Sequence, residues 1–413
     1  MSTPVILQSD RLSRIRPSAS GSARERVMQL IREGRTILDL TIGEPDLDTP
    51  DHVKAAAIEA IARGDTKYTS AVGTAELRQA VVDKYRRENG IALDAAQVFI
   101  GSGAKQVIHN AFAATLNAGD EVVVPAPYWV SYPDMVTLND GVPVIVRTSP
   151  ENGYKLTAEA LDRAITSRTR WVVLNSPNNP TGASYSDSEL RGLAEVILSH
   201  EQVWLLSDDI YEHFHYEADG AGTTKTRTKA RTPLEVVPKL LERSLSVNGV
   251  SKTYAMTGWR IGYGVGPKAL IRQLGVLQSQ TVSCVCSISQ AAAAAALNGP
   301  QYFVAHCVAT FRERLDAAMS ILGEIALIDC VRPSGAFYIF PNCARVIGKT
   351  TPTGMRITSD VDFAAYLLEY ANVAVLDGSA YGVSPSIRLS FATALDTVVE
   401  ACNRIKDACE ALS

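Results

Sequence analysis

From residue 97 onward, short unbroken apolar segments alternate with stretches of helical spacing, and this alternation constrains the fold most. Residues 98–100 (Val-Phe-Ile) form the first segment. A helix over about 104–117 follows, then a strand over 121–124 ended by Pro125. Residues 143–147, 171–174 and 203–206 continue the series, and the last two bracket a helix over 187–199. Residues 245–247 and 261–265 complete it. A strand that is apolar at every position is buried on both faces. Strands separated by helices pair in parallel, so the pattern predicts an α/β fold with a mainly parallel sheet sandwiched by helices. Ligands of such sheets sit beyond the carboxyl ends of the strands, so the polar residues at those ends are the functional candidates.

The flanking segments are different. Residues 22–34 have helical apolar spacing, with Val27, Leu30 and Ile31 on one side. Residues 38–42 read as extended and end at Gly43-Glu44-Pro45-Asp46. An amphipathic helix over 50–63 is opened by Pro50 and closed by Gly64. Residues 287–325 are long and helical, and 326–413 hold short strands and a closing helix. Residues 217–233 (EADGAGTTKTRTKARTP) lack large apolar side chains and read as a mobile surface loop.

Composition removes several function classes. The 413 residues carry 40 Lys and Arg against 44 Asp and Glu, a net charge of −4, so no basic footprint points to nucleic acid. No apolar stretch approaches the roughly 20 residues of a membrane span, and the first 30 residues hold no signal-peptide core. Seven cysteines are an odd number, scattered without zinc spacing, which fits a reduced cytoplasm.

The chemistry-bearing residues cluster at strand ends. Lys252 follows a buried strand in a Gly/Ser-bordered turn, and Arg260 lies eight residues on. A desolvated amine there is nucleophilic towards an aldehyde, and an arginine fork suits a phosphate. Asp208 and Tyr211 follow the strand at 203–206; a carboxylate there pairs with a ring N–H or caps a helix. Gly101-Ser102-Gly103-Ala104-Lys105 joins a strand to a helix, an anion-binding arrangement that is not a Walker motif. Asn179 lies in the turn Asn178-Asn179-Pro180-Thr181-Gly182. Trp129 reads as packing on its own. Arg388, inside an alternating strand pattern, meets an anion if buried and solvent if not.

The segment GVSKTYAMTGWRIG (249–262) resembles the lysine signature of class I pyridoxal 5'-phosphate (PLP) aminotransferases. Further segments agree in order and spacing: GEPDLDTP (43–50), TKYTSAVGTAELRQAV (66–81), GSGAKQ (101–106), PAPYWVSYP (125–133), NSPNNPTG (175–182), SDDIYEH (207–213), RPSGAFY (332–338) and SIRLSFAT (386–393). The resemblance covers nearly the whole chain and is closest to the rhizobial and thermophile branch of bacterial aspartate aminotransferases, which includes aspartate/prephenate enzymes. It implies fold type I, with a large PLP-binding domain over 51–295 and a small domain from 1–50 and 296–413. It implies that Lys252 carries PLP, that Asp208 pairs with the pyridine nitrogen, and that Asn179 and Tyr211 bond the ring's phenolate oxygen. Gly103, Ala104, Lys105 and Arg260 would hold the phosphate, and Trp129 would stack on the ring. Tyr68 would reach the phosphate of a neighbouring subunit, which implies a homodimer with shared sites. Arg388 would bind the substrate α-carboxylate, with Gly43, Trp129 and Asn179 nearby.

The implied activity is ping-pong transamination, L-aspartate with 2-oxoglutarate giving oxaloacetate and L-glutamate. Residues 278–286 contain no arginine, so basic residues resembling Arg16 and Lys105 would receive the second carboxylate. Prephenate or aromatic substrates stay open, because Ser283-Cys284-Val285-Cys286 on the partner side departs from the relatives. A PLP lyase of the same fold is the remoter alternative. Gly262-Tyr263-Gly264-Val265-Gly266 lacks the spacing and acidic residue of a dinucleotide site, and no helix-turn-helix precedes the catalytic pattern.

Overall fold

The computed structural model describes residues 7–15, 17, 19–216 and 229–413. Arg16 and all of the 217–233 segment before Lys229 lie outside them. The end of that segment is not loop: Thr232 caps the short helix Pro233–Val236, and Lys229 pairs with Glu235 at 2.7 Å.

Twelve strands follow in chain order: β1 (Leu38–Asp39), β2 (Val98–Gly101), β3 (Glu121–Ala126), β4 (Val142–Arg147), β5 (Thr169–Asn175), β6 (Trp204–Asp208), β7 (Ser244–Gly249), β8 (Gly262–Val265), β9 (Tyr338–Ile339), β10 (Val373–Ala374), β11 (Leu376–Asp377) and β12 (Ile387–Ser390). Seven form the central sheet in the order β2-β8-β7-β6-β5-β3-β4, and only β8 runs antiparallel to its neighbours. The expected mainly parallel sheet is therefore present.

The strands are apolar throughout because alternate residues feed two separate cores. Val98, Ile100, Val123, Val172, Leu174 and Leu205 join one cluster. Phe99, Val122, Val124, Trp171, Val173 and Leu206 join another. Successive side chains of a strand point to opposite faces, so each strand serves both helical layers.

Helix ends follow local chemistry. Helix Asp187–Ser199 begins where Ser186 and Glu189 form a capping box. Helix Asp51–Arg63 stops at Gly64, whose φ of 78° suits a residue without Cβ. Two boundaries differ from expectation. Strand β3 continues through Pro125, which lies beyond Val123, the last β3 residue paired with β5, so its missing N–H costs little there. The long helical stretch is two helices, Ser287–Asn298 and Tyr302–Leu322, because Gly299-Pro300 breaks it.

The short strands build smaller sheets, β1-β10 and β11-β12-β9, around a third apolar cluster. Helices Tyr302–Leu322, Asp360–Ala371 and Leu395–Glu410 supply much of that cluster. Among the described residues, no helix is long and apolar enough to cross a membrane.

One polar network is buried in the large core. Lys84 and Glu212, each with a side chain 1% exposed, form an ion pair. Asn248 donates to Glu212 at 2.7 Å, and Asn89 donates at 3.2 Å. Removing Lys84 would leave the buried Glu212 carboxylate with the longer contact to Lys229, at 3.6 Å, and its neutral donors. Lys84→Met should therefore lower unfolding stability by about 3–5 kcal/mol in urea denaturation, whereas a loss under about 1 kcal/mol would contradict this reading.

Candidate active site

The carboxyl edge of the central sheet opens into one cavity of about 410 Å³. Several strand ends deliver side chains to it. The loop after β3 carries Trp129, β5 leads to Asn175 and Asn179, and β6 ends at Asp208 with Tyr211 beyond. The turn after β7 carries Ser251 and Lys252, and Arg260 stands just before β8. The smaller sheets close the other side with Tyr338, Arg388 and the 41–44 segment.

Lys252 donates its amine to the Gly43 carbonyl at 2.5 Å. Burial, together with the positive charges of Arg260 and Arg388, brings its pKa down to about 8, and Glu44 and Asp208 oppose that shift. Gly43 has a steric reason to lack a side chain, since a Cβ there would lie 2.9 Å from the Tyr338 hydroxyl.

Asp208 is 4% exposed, and burial raises its pKa to about 6. Tyr132 donates to its carboxylate at 2.5 Å, the Ile210 N–H donates at 3.3 Å, and both favour the anion. Asn175 ties the two strand ends together, donating to the Asp208 carbonyl at 2.9 Å and accepting the Asn179 N–H at 2.8 Å.

The turn after β2 sits against Arg260. Gly103 has φ 85°, and a Cβ there would strike the Arg260 guanidinium. A Cβ on Gly262 would strike the Ala104 backbone. The two glycines thus let an arginine and the start of helix Ala104–Thr115 approach closely. One expected donor is already used: the Gly103 N–H bonds the Gly101 carbonyl at 2.8 Å. Ala104 and Lys105 stand at the open end of the helix, where amides lack intrahelical partners. The Lys105 amine lies 4.7 Å from the Trp129 ring centre, and burial and Arg260 lower its pKa.

Arg388 is 3% exposed. It donates to the Thr41 carbonyl at 2.5 Å and to Asn179 Oδ1 at 3.2 Å, and its Nε has no partner among the described residues. The Tyr338 and Tyr381 rings lie 4.5 and 5.4 Å from its guanidinium. Tyr211 shares a hydroxyl–hydroxyl hydrogen bond of 2.9 Å with Tyr338.

The cavity therefore brings together Gly43, Ala104, Lys105, Trp129, Asn179, Asp208, Tyr211, Lys252, Arg260 and Arg388, with Gly103 against Arg260. Tyr68 is 90% exposed and lies outside the cavity of its own chain. Sequence reasoning assigned no role to Tyr132, Tyr338 or Glu44, although each stands inside a segment it singled out. It also passed over Arg24 and Asn175, which line the same space.

The family model for aminotransferase class I and II matches residues 35–405. The chain belongs to this family. The aminotransferase is 50% identical over 405 residues to an aspartate/prephenate aminotransferase of Cereibacter sphaeroides, covering 98% of this chain and 99% of that one. It is 50% identical over 403 residues to an aspartate aminotransferase of Rhizobium meliloti, covering 98% and 96%. A crystal structure of the Rhizobium meliloti aspartate aminotransferase superposes with a TM-score of 0.94 at 50% identity, covering 99% and 100%. The Thermus thermophilus aspartate aminotransferase solved with maleate gives 0.88 at 39% identity, covering 98% and 100%. The aminotransferase thus has the fold type I architecture that its sequence resemblance implied.

The depressed amine can be tested directly. In ligand-free protein with ¹³C-methylated lysines, the resonance that disappears in Lys252→Ala should titrate near pH 8 and be neutral above it. A midpoint near the ordinary lysine value of about 10.4 would contradict the burial argument.

Proposed function

We propose that this aminotransferase binds PLP covalently through Lys252 and exchanges amino groups between L-aspartate and 2-oxoglutarate, giving oxaloacetate and L-glutamate. The observation that carries this reading is the placement of two separate anion receivers, Arg260 and Arg388, around Lys252 and Asp208 in one cavity. The residues fit the cofactor: a buried acid awaits a cation, and an arginine lies against a glycine turn and a helix start. When bound, PLP supplies an electron-withdrawing ring that stabilises negative charge at the substrate Cα.

The chain's residues then have distinct roles. Asp208, as an anion, keeps a proton on the ring nitrogen, and the Tyr132 hydroxyl steadies its carboxylate. Arg260 and the amides of Ala104 and Lys105 receive the phosphate. Gly103 contributes its lack of a side chain more than its N–H. Trp129 would offer its ring for stacking on the cofactor, and Asn179 and Tyr211 would offer it hydrogen bonds. Arg388 binds the α-carboxylate, with Gly43 and Asn179 beside it and Trp129 across the pocket. The Lys252 amine would act as the base that removes the substrate Cα proton. Its pKa of about 8 leaves an adequate neutral fraction near physiological pH.

Lys105 and Arg16 receive the substrate's second carboxylate in this reading, and Arg16 lies outside the described residues. The maleate carried by the Thermus relative supports a dicarboxylate. The name of the Cereibacter relative supports prephenate as a second substrate, since it also carries two carboxylates. The division into residues 51–295 and residues 1–50 with 296–413 gives one part that holds the cofactor and one that brings Arg388. A cytoplasmic homodimer would turn the exposed Tyr68 towards the partner's phosphate.

Purified protein should show a visible absorbance band that L-aspartate bleaches and 2-oxoglutarate restores. Lys252→Ala should lower turnover by roughly 10²–10⁴-fold. A wild-type protein that turns over phenylalanine but not aspartate would reject the substrate assignment. Absence of any cofactor band after reconstitution would reject the cofactor.

A further inference from the structure

Among the described residues, five cations line the cavity: Arg24, Lys105, Lys252, Arg260 and Arg388. Only Glu44 and Asp208 oppose them there. In the reading above, Lys252 and Asp208 serve the cofactor, Arg260 the phosphate and Arg388 the α-carboxylate. Glu44 accepts the Thr257 hydroxyl at 2.5 Å. Lys105 and Arg24 are left for a second acidic group.

The two are unequal. The Lys105 amine rests over Trp129 at 4.7 Å, and burial and Arg260 both disfavour its charged form. Arg24 is exposed, and a guanidinium stays charged at any physiological pH. No ion pair or hydrogen bond occupies it among the described residues.

Its position follows from the helix that carries it. In helix Ala19–Arg32, Val27 and Leu30 are buried. Ala23 packs against a cluster that contains Tyr154, Phe340, Leu376 and Tyr381. The Tyr381 ring is one of the two beside the Arg388 guanidinium. Ala23 ties this part of the helix to that cluster, and the adjacent exposed Arg24 lines the cavity.

We infer that Arg24 is a specificity-determining residue that binds the side-chain carboxylate of a dicarboxylic substrate. The inference rests on the dicarboxylate reading above and adds Arg24 to Lys105 and Arg16 as a further receiver of that second carboxylate. A guanidinium pairs with a carboxylate through two parallel hydrogen bonds, which an ammonium cannot do. An aromatic substrate without a second acid gains nothing from Arg24, so the residue separates substrates and does not merely strengthen binding.

The test uses the holoenzyme with maleate as a non-reacting dicarboxylate, followed by calorimetry, and compares wild type with Arg24→Gln and Arg24→Lys. Arg24→Gln should weaken maleate by about tenfold, the usual effect of losing a hydrogen bond to a charged group. It should raise the KM for aspartate by about as much with kcat nearly unchanged, and alter phenylalanine kcat/KM by less than about twofold. Arg24→Lys should recover part of the loss. The maleate difference should shrink as salt is raised, because the site is exposed. Wild-type binding of maleate with an unaltered Arg24→Gln affinity would overturn the inference alone. An equal loss for aspartate and phenylalanine would also overturn it. Failure of wild type to bind maleate would overturn the dicarboxylate reading and this inference with it.

Discussion

A buried guanidinium with no ion pair among the described residues is the constraint around which the cavity is arranged. Arg388 is 3% exposed, and its hydrogen-bond acceptors are neutral oxygens of Thr41 and Asn179. Moving a cation out of water is costly, and two neutral acceptors with two aromatic faces offset only part of that cost. The unpartnered Nε marks where an anion would complete the set. The same side chain joins distant segments. It sits on β12, reaches the loop after β5 through Asn179, and reaches the segment after β1 through Thr41. A carboxylate arriving there would tighten contacts between the central sheet and the smaller ones, so substrate binding and closure of these segments would share one interaction.

Tyr338 extends that arrangement. Its ring lies against Arg388, its hydroxyl bonds the Tyr211 hydroxyl, and the space beside that hydroxyl requires glycine at position 43. Gly43 in turn accepts the Lys252 amine. The proposed carboxylate receiver, ring-oxygen donor and nucleophile are therefore in contact through one tyrosine. None of this was legible in the sequence, because Tyr211 and Tyr338 are 127 positions apart and a tyrosine in a strand reads as packing. Tyr132 was hidden in the same way, 76 positions from Asp208. The fold itself was legible, since strands buried on both faces must be apolar at every position. Lys252, Asp208 and Arg260 were legible because each is a charged residue beside an apolar strand, inside a segment that resembles the family's motifs. Arg24 was not, because on an exposed helix a cation looks like ordinary solvated surface.

Two neighbouring acids at the end of β6 have opposite fates, and the sheet is the reason. Asp208 faces the cavity, while Asp209 points away from it and accepts the Ser207 and Ser246 hydroxyls, both at 2.6 Å. Burial, with no cation in hydrogen-bond contact, pushes the Asp209 pKa up to about 8. Burial thus favours the protonated form of Asp209 more strongly than that of Asp208, which also keeps the Tyr132 and Ile210 donors. A second negative charge beside Asp208 would raise its pKa further. Keeping Asp209 neutral therefore helps Asp208 to remain the anion that a ring N–H requires.

The net charge of −4 hides this local electrostatics, because among the described residues five cations line a cavity that contains two acids. Their placement matters more than their number. Arg260 and Arg388 define two receiving positions with Lys252 in the same cavity. A phosphate held at Arg260 and a carboxylate held at Arg388 would each be oriented by charge relative to Lys252. A rim cation such as Arg24 does not change that orientation. It can only favour ligands whose third anionic group extends towards solvent, so substrate choice can change at the rim while the chemistry at Lys252 stays the same.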